Sequence, residues 1–159
     1  MQGWSIETMV TIQILGNDSM MFQLQNTTIA GLQAKSIGVP WISINSEGIE
    51  EAEIEDLENA IISSNLQIDA LVVGALRSDY QKTRIERMCQ RLGIISYCPL
   101  WHHDSLEHMN SLIDHGFDVR IVSVSADGLD DSWLGAKLTG ENLPILNQLA
   151  KKHRFNLDG

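Results

Sequence analysis

The chain has 159 residues, of which 43% are hydrophobic, and a formal net charge of −10. That length suits one domain, or one and a fraction, with enough chain to bury a core. The acid excess argues against a nucleic-acid-binding face, which needs basic residues against phosphates, and no run of about 18 apolar residues marks a membrane span.

The opening "MQGWSIETMV" has neither the cationic start nor the apolar run of a signal peptide. Cys89 and Cys98 form no disulfide framework and read as free thiols, so a cytoplasmic protein is expected.

"MVTIQIL" (Met9–Leu15) is short and rich in β-branched residues, the pattern of a strand, and "GNDS" after it is turn chemistry. "TTIAGLQAKSIG" (Thr27–Gly38) predicts a helix with Ile29, Leu32 and Ile37 inward and Gly38 as its stop. "VPWISIN" (Val39–Asn45) predicts a second strand. Ile49–Ser64 predicts a helix whose buried stripe is Ile54, Leu57, Ile61 and Ile62, with acids gathered early as the helix dipole prefers.

"IDALVVGAL" (Ile68–Leu76) is nearly all apolar, as in a strand inside a parallel sheet. A helix over Asp79–Leu92 follows, then a strand at Ile94–Leu100 and a helix at Ser105–His115. Phe117–Ala126 alternates like a strand, and Glu141–His153 closes the chain as a helix that starts near Asn142. Strands alternating with helices imply an α/β fold with a mostly parallel sheet. A weak boundary near Pro99 separates 1–98, an α/β domain, from 99–159, a smaller subdomain.

Ligands of open α/β sheets bind where strands end. The third strand ends at Gly74, and Ser78 is placed to cap the next helix with Asp79 in its first turn. Helix-start amides favour an anion. Tyr80, Gln81 and Arg84 share a face at spacings of three and four, so Arg84 can reach a phosphate or carboxylate, with Glu86 or Asp79 steadying nearby cations. The plainer alternative is a solvated helix carrying Lys82, Arg84, Glu86, Arg87 and Arg91.

In "PLWHHDSLEHM" (Pro99–Met109), His103 and Glu107, and Asp104 and His108, are spaced to form rows on one helix flank. Without a third protein ligand a metal site is not expected; Asp104 reads as a helix cap and Trp101 as packing. "SADGLDDSWLG" (Ser125–Gly135) lacks the offsets of a calcium loop and reads as a turn with Trp133 and Leu134 on the core. Neither cysteine sits in a nucleophile motif, and neither a nucleophile elbow nor a P-loop is found.

The run "GALRSDYQKTRIERMCQRLGIISYCPLW..D" resembles the diphthine–ammonia ligase family, the diphthamide-synthase ATP-binding domain. Gly74, Ser78, Tyr80, Gln81, Arg84, Glu86, Leu100, Trp101 and Asp104 match its pattern. Gly128, Leu129, Leu134 and Gly135 resemble its later Gly-Leu…Leu-Gly segment, and "DSMMF" and "LQAKSIGVP" resemble the segment after its second strand. The resemblance spans nearly the whole chain.

It implies a Rossmann-like fold of the N-type ATP pyrophosphatase kind. It also implies ATP-dependent amidation of diphthine, a modified histidine of translation elongation factor 2, with ATP, ammonia and magnesium as the other participants. On that footing Gly74, Ala75, Ser78, Tyr80 and Gln81 are expected at the nucleotide, Arg84 and Glu86 at the reacting groups, and Trp101, Asp104 and Gly128 at the diphthine side. Two family segments have no counterpart here: the Ser-Gly-Gly-x-Asp-Ser loop that grips pyrophosphate and the Glu-Gly-Gly-Glu-Tyr-Glu run. The chain is therefore expected to be the central portion of such an enzyme. A sheet lacking a strand would expose an edge or an apolar face and invite association with a second copy. The alternative expectation is a non-catalytic nucleotide-binding or protein-interaction module.

Overall fold

Met9–Ile14 (β1) and Trp41–Ser46 (β2) pair in parallel, from Met9 opposite Trp41 to Ile14 opposite Ser46. Parallel strands need a crossover, and Ile29–Ser36 (α1) lies within it. The computed structural model describes residues 3–158. In it the chain divides into two compact units, Met1–Trp101 and His102–Gly159.

The inward face of α1 differs from the expected one. Ile29, Leu32 and Ile37 are exposed, and Ala34 is the buried residue of the helix. The reason is the size of Trp41: a Cβ on Gly31 would lie 2.8 Å from its ring, so α1 meets β2 through small residues three apart. Trp41 donates its indole N–H to Thr11 Oγ1 at 3.0 Å, which satisfies the one polar group on the ring. Gly38, at φ +72°, takes the left-handed conformation that ends the helix.

Ala52–Ser63 (α2) buries Ile54, Leu57 and Ile61, while Ile62 is exposed. Its remaining fully buried residue is an acid, Glu53. Asp79–Leu92 (α3) matches its expected bounds. Ser78 caps it by accepting a hydrogen bond from the Gln81 amide, and Gly93 at φ +71° closes it. Ile85, Met88 and Cys89 from α3 join Ile12, Met21, Ile54, Leu57 and Ile61 in one core. Each large side chain removed from water there contributes roughly 1.5–3 kcal/mol. Burial also pushes the Cys89 thiol up, away from the reactive thiolate.

Ala70–Val72 (β3) and Ile95–Tyr97 (β4) form a second parallel pair, separate from β1 and β2 in its hydrogen bonding. The expected strand Ile68–Leu76 is thus much shorter, and it is not buried on both sides. Leu71 packs toward the core, whereas Val72 and Ile95 are 54% and 66% exposed. Helix α3 packs against β4 on one face. On the other, the described residues supply the edge of Trp4 against Tyr97, with ring centroids 5.1 Å apart.

The second unit holds Ser105–Asp114 (α4) and Leu143–His153 (α5) around Met109, Leu138, Leu143, Leu146, Ala150 and Leu157. The strand expected at Phe117–Ala126 does not form. Its pairing is a single antiparallel bridge, Arg120 to Lys137, with Leu138 N–H donating to Val119 O at 2.8 Å. Without a longer partner ladder an alternating pattern cannot hold a strand, and Phe117 and Val122 lie exposed. Trp133, in a short 3-10 turn, packs onto this core, but Leu134 is exposed rather than tucked in. No helix among the described residues is long and apolar enough to cross a membrane.

Candidate functional site

The carboxyl ends of β1 and β2 and the start of α3 meet in one cluster of polar contacts within the first unit. From α3, Tyr80 donates its hydroxyl to Glu50 Oε1 at 3.0 Å. Partial burial, then this hydrogen bond, pushes the Tyr80 phenol up, so it stays a donor. Arg84 directs Nε to Glu51 Oε1 at 2.9 Å, and one terminal nitrogen bonds the same oxygen; Glu50 lies 3.8 Å away. The guanidinium carbon sits 3.4 Å from the centroid of the Tyr80 ring, a stacked cation–π contact.

Gln81 reaches the other loop. Its side-chain amide donates to the carbonyls of Met20 and Met21 at 3.3 and 3.1 Å. Ser19, in the same loop, donates to Glu53 Oε2 at 2.5 Å and accepts from the amides of Met21 and Phe22 at 3.1 and 2.9 Å. Three chain segments are therefore tied by side-chain hydrogen bonds where an α/β sheet binds ligands.

The other expected residues of this unit lie nearby in sequence but differ in role. Gly74 is exposed, and a Cβ there would meet open space, so packing does not require its glycine. Ala75 is 5% exposed and belongs to the interior. Glu86 pairs with Lys82 one turn earlier, not with Arg84. That partner is the first cause of the raised Lys82 pKa, and the Lys82 ammonium also lies 5.3 Å from the Trp101 ring centroid. Trp101 thus packs against a cation.

Asp104 and Gly128 belong to the second unit. Asp104 caps α4, its carboxylate accepting the Glu107 amide at 2.9 Å. Gly128 sits against the His153 ring. Among the described residues no group of three histidine, cysteine, aspartate or glutamate side chains stands close enough to hold a metal ion.

Sequence reasoning missed Ser19, Glu50, Glu51 and Glu53. A signal for Glu53 was present: positions 53, 57 and 61 share one helix face, so an acid stood in line with Leu57 and Ile61. The others had none, because their partners lie about 30 residues or more away in sequence.

Strand–helix–strand units with a polar cluster at the strand ends define a Rossmann-like α/β domain, with a small second unit beside it in sequence. The family model of the diphthamide synthase N-terminal domain matches residues 1–96, and that of the C-terminal domain matches residues 104–159. The chain belongs to the diphthamide synthase family. It is similar to the proteins named diphthine–ammonia ligase of Saccharomyces cerevisiae, Danio rerio and Homo sapiens. It is 29% identical to each over 89% of its own length. The matches cover 25%, 61% and 52% of those proteins, so the chain spans less than two thirds of each.

Proposed function

We propose that this chain carries the adenylate side of a ligase that amidates diphthine on translation elongation factor 2 with ATP and ammonia. The observation that supports this reading best is the α3 start: a Ser78-capped helix whose first two turns offer Tyr80, Gln81 and Arg84 together at the strand ends. A carboxylate is a poor partner for ammonia until one of its oxygens becomes a good leaving group. Its oxygen attacks the α-phosphorus of ATP and pyrophosphate departs. Ammonia then attacks the acyl carbon, AMP leaves with the carboxylate oxygen, and a proton is lost.

This chain's part is positioning and charge neutralisation. The α3 amides and Arg84 face the phosphate or acyl-phosphate charge, Gln81 and Tyr80 border the nucleotide with Gly74, and Glu86 orients Lys82. Trp101, beside Lys82, borders the diphthine side. Magnesium, which the family resemblance implies, would be held mainly by the nucleotide phosphates and would neutralise their charge.

Titration calorimetry with AMP and with ATP tests the reading. Binding of either, weakened about tenfold or more by Arg84→Ala, is expected from the loss of a charged hydrogen-bond donor. AMP binding with no ATP-dependent amidation would favour a nucleotide-binding module. Absence of any nucleotide binding would sink the reading.

A further inference from the structure

Glu53 is the most deeply buried acid of the chain, 0% exposed in the first turn of α2. Burying a carboxyl group costs free energy unless it is hydrogen-bonded. Here one oxygen, Oε1, is buried with no hydrogen-bond partner, and the other takes a single short bond from Ser19. Stability alone would favour an apolar side chain at this place on the Leu57–Ile61 face.

What Glu53 accomplishes is visible one step away. The Ser19 hydroxyl has a single proton and gives it to Glu53 Oε2, so its oxygen faces the amides of Met21 and Phe22 as an acceptor. Those three bonds tie the loop after β1 to α2. The tied loop presents the carbonyls of Met20 and Met21 to the Gln81 amide. Gln81 can then turn only its remaining oxygen outward.

We infer that Glu53 is a positioning residue: through Ser19 and the Met20–Met21 carbonyls it sets the orientation of the Gln81 amide at the start of α3. The inference rests on the proposed placement of Gln81 at the nucleotide only for its functional consequence. The tie itself does not need a ligand to be seen.

Four variants test it by amide hydrogen exchange and side-chain amide NMR: Glu53→Gln, Glu53→Met, Ser19→Ala and Ser19→Thr. Gln and Thr keep an acceptor and a donor, so both are expected to preserve slow Met21 and Phe22 exchange and the Gln81 amide signals. Glu53→Met and Ser19→Ala are expected to speed Met21 and Phe22 exchange by about tenfold, as local opening becomes easier, and to shift the Gln81 signals. Glu53→Met is expected to melt at or above the temperature of the parent chain, which a merely structural role does not allow. Should Glu53→Met fail to fold, Ser19→Ala decides alone. Unchanged exchange and unchanged Gln81 signals in Ser19→Ala would overturn the inference.

AMP calorimetry on the same variants separates the two readings. If the parent chain binds no AMP, the proposed function falls and the exchange data judge the tie. If it binds AMP, a roughly fivefold to tenfold loss is expected in Glu53→Met and Ser19→Ala, the worth of one hydrogen bond. Affinity equal to the parent in both variants would overturn the positioning role.

Discussion

Arg84 holds the carboxylate of Glu51 with two of its nitrogens while its guanidinium carbon lies over the Tyr80 ring, and Glu51 is a strained residue. Its backbone has φ +67° and ψ −40°, a region glutamate rarely enters, at the N-cap of α2 without any side-chain capping bond. Such conformations cost of order 1–3 kcal/mol, and an exposed ion pair returns about 0–1 kcal/mol.

The Glu51→Gly substitution therefore trades a weak ion pair for relief of backbone strain. The expected outcome is a stability gain of up to about 1 kcal/mol, read as a higher urea midpoint with an unchanged slope. A loss of more than that amount would mean that the Arg84 pair, not the strain, dominates at this turn.

Met88 and Ile62 are both apolar and helical, yet they should respond in opposite ways. Met88 is 0% exposed and Ile62 is 59% exposed. Met88→Ala removes buried methylenes and leaves a cavity, with an expected loss of about 2–5 kcal/mol. Ile62→Ala is expected to stay within roughly 0.5 kcal/mol of the parent, as exposed substitutions do. Urea unfolding of the two variants side by side checks the contrast.

Glu58 and Arg91 predict a pH dependence with a definite sign. The hydrogen bond from Arg91 holds the Glu58 carboxyl below its ordinary value of 4.5. As pH falls, the unfolded chain takes up that proton before the folded one does. The stabilisation is complete above the ordinary glutamate range and is lost as pH falls through the lower folded value. Unfolding of the parent and of Glu58→Gln should differ slightly at neutral pH and converge on acidification. A difference that persists unchanged well below pH 4 would contradict the assignment.

Val72 and Ile95 lie exposed on the Tyr97 face of β3 and β4. Exposed apolar sheet surface promotes association. The double substitution Val72→Thr with Ile95→Thr keeps β-branched residues while removing apolar area. The parent is expected to gain mass with concentration in sedimentation equilibrium, and the double variant to gain less. Equal sedimentation of parent and variant would locate association elsewhere, or show none.

How far the sequence could be read depended on the range of each interaction. Helix α3 was legible to its exact bounds because both of its ends are local: Ser78 accepts the amide three residues on, and Gly93 adopts a left-handed φ without penalty. Asp104 as a cap followed for the same reason. The face of α1 was misread because Trp41, a residue of the next strand, selects Gly31 and Ala34 over the larger Ile29 and Leu32. The alternation at Phe117–Ala126 was genuine, but a strand also needs a partner, and among the described residues the pairing is a single bridge, Arg120 to Lys137.

The candidate site divides along the same line. On its α3 side Ser78 caps the helix and Tyr80 and Gln81 stand four and three residues before Arg84, so sequence alone determined that they share a face with it. Which groups they answer to was decided by the tertiary structure. Glu50 and Glu51 meet Tyr80 and Arg84, and the Ser19 loop meets Gln81, because parallel strands return the chain to the same edge after each crossover. Periodicity carries information over a few residues, whereas these contacts join residues 30 to 61 positions apart.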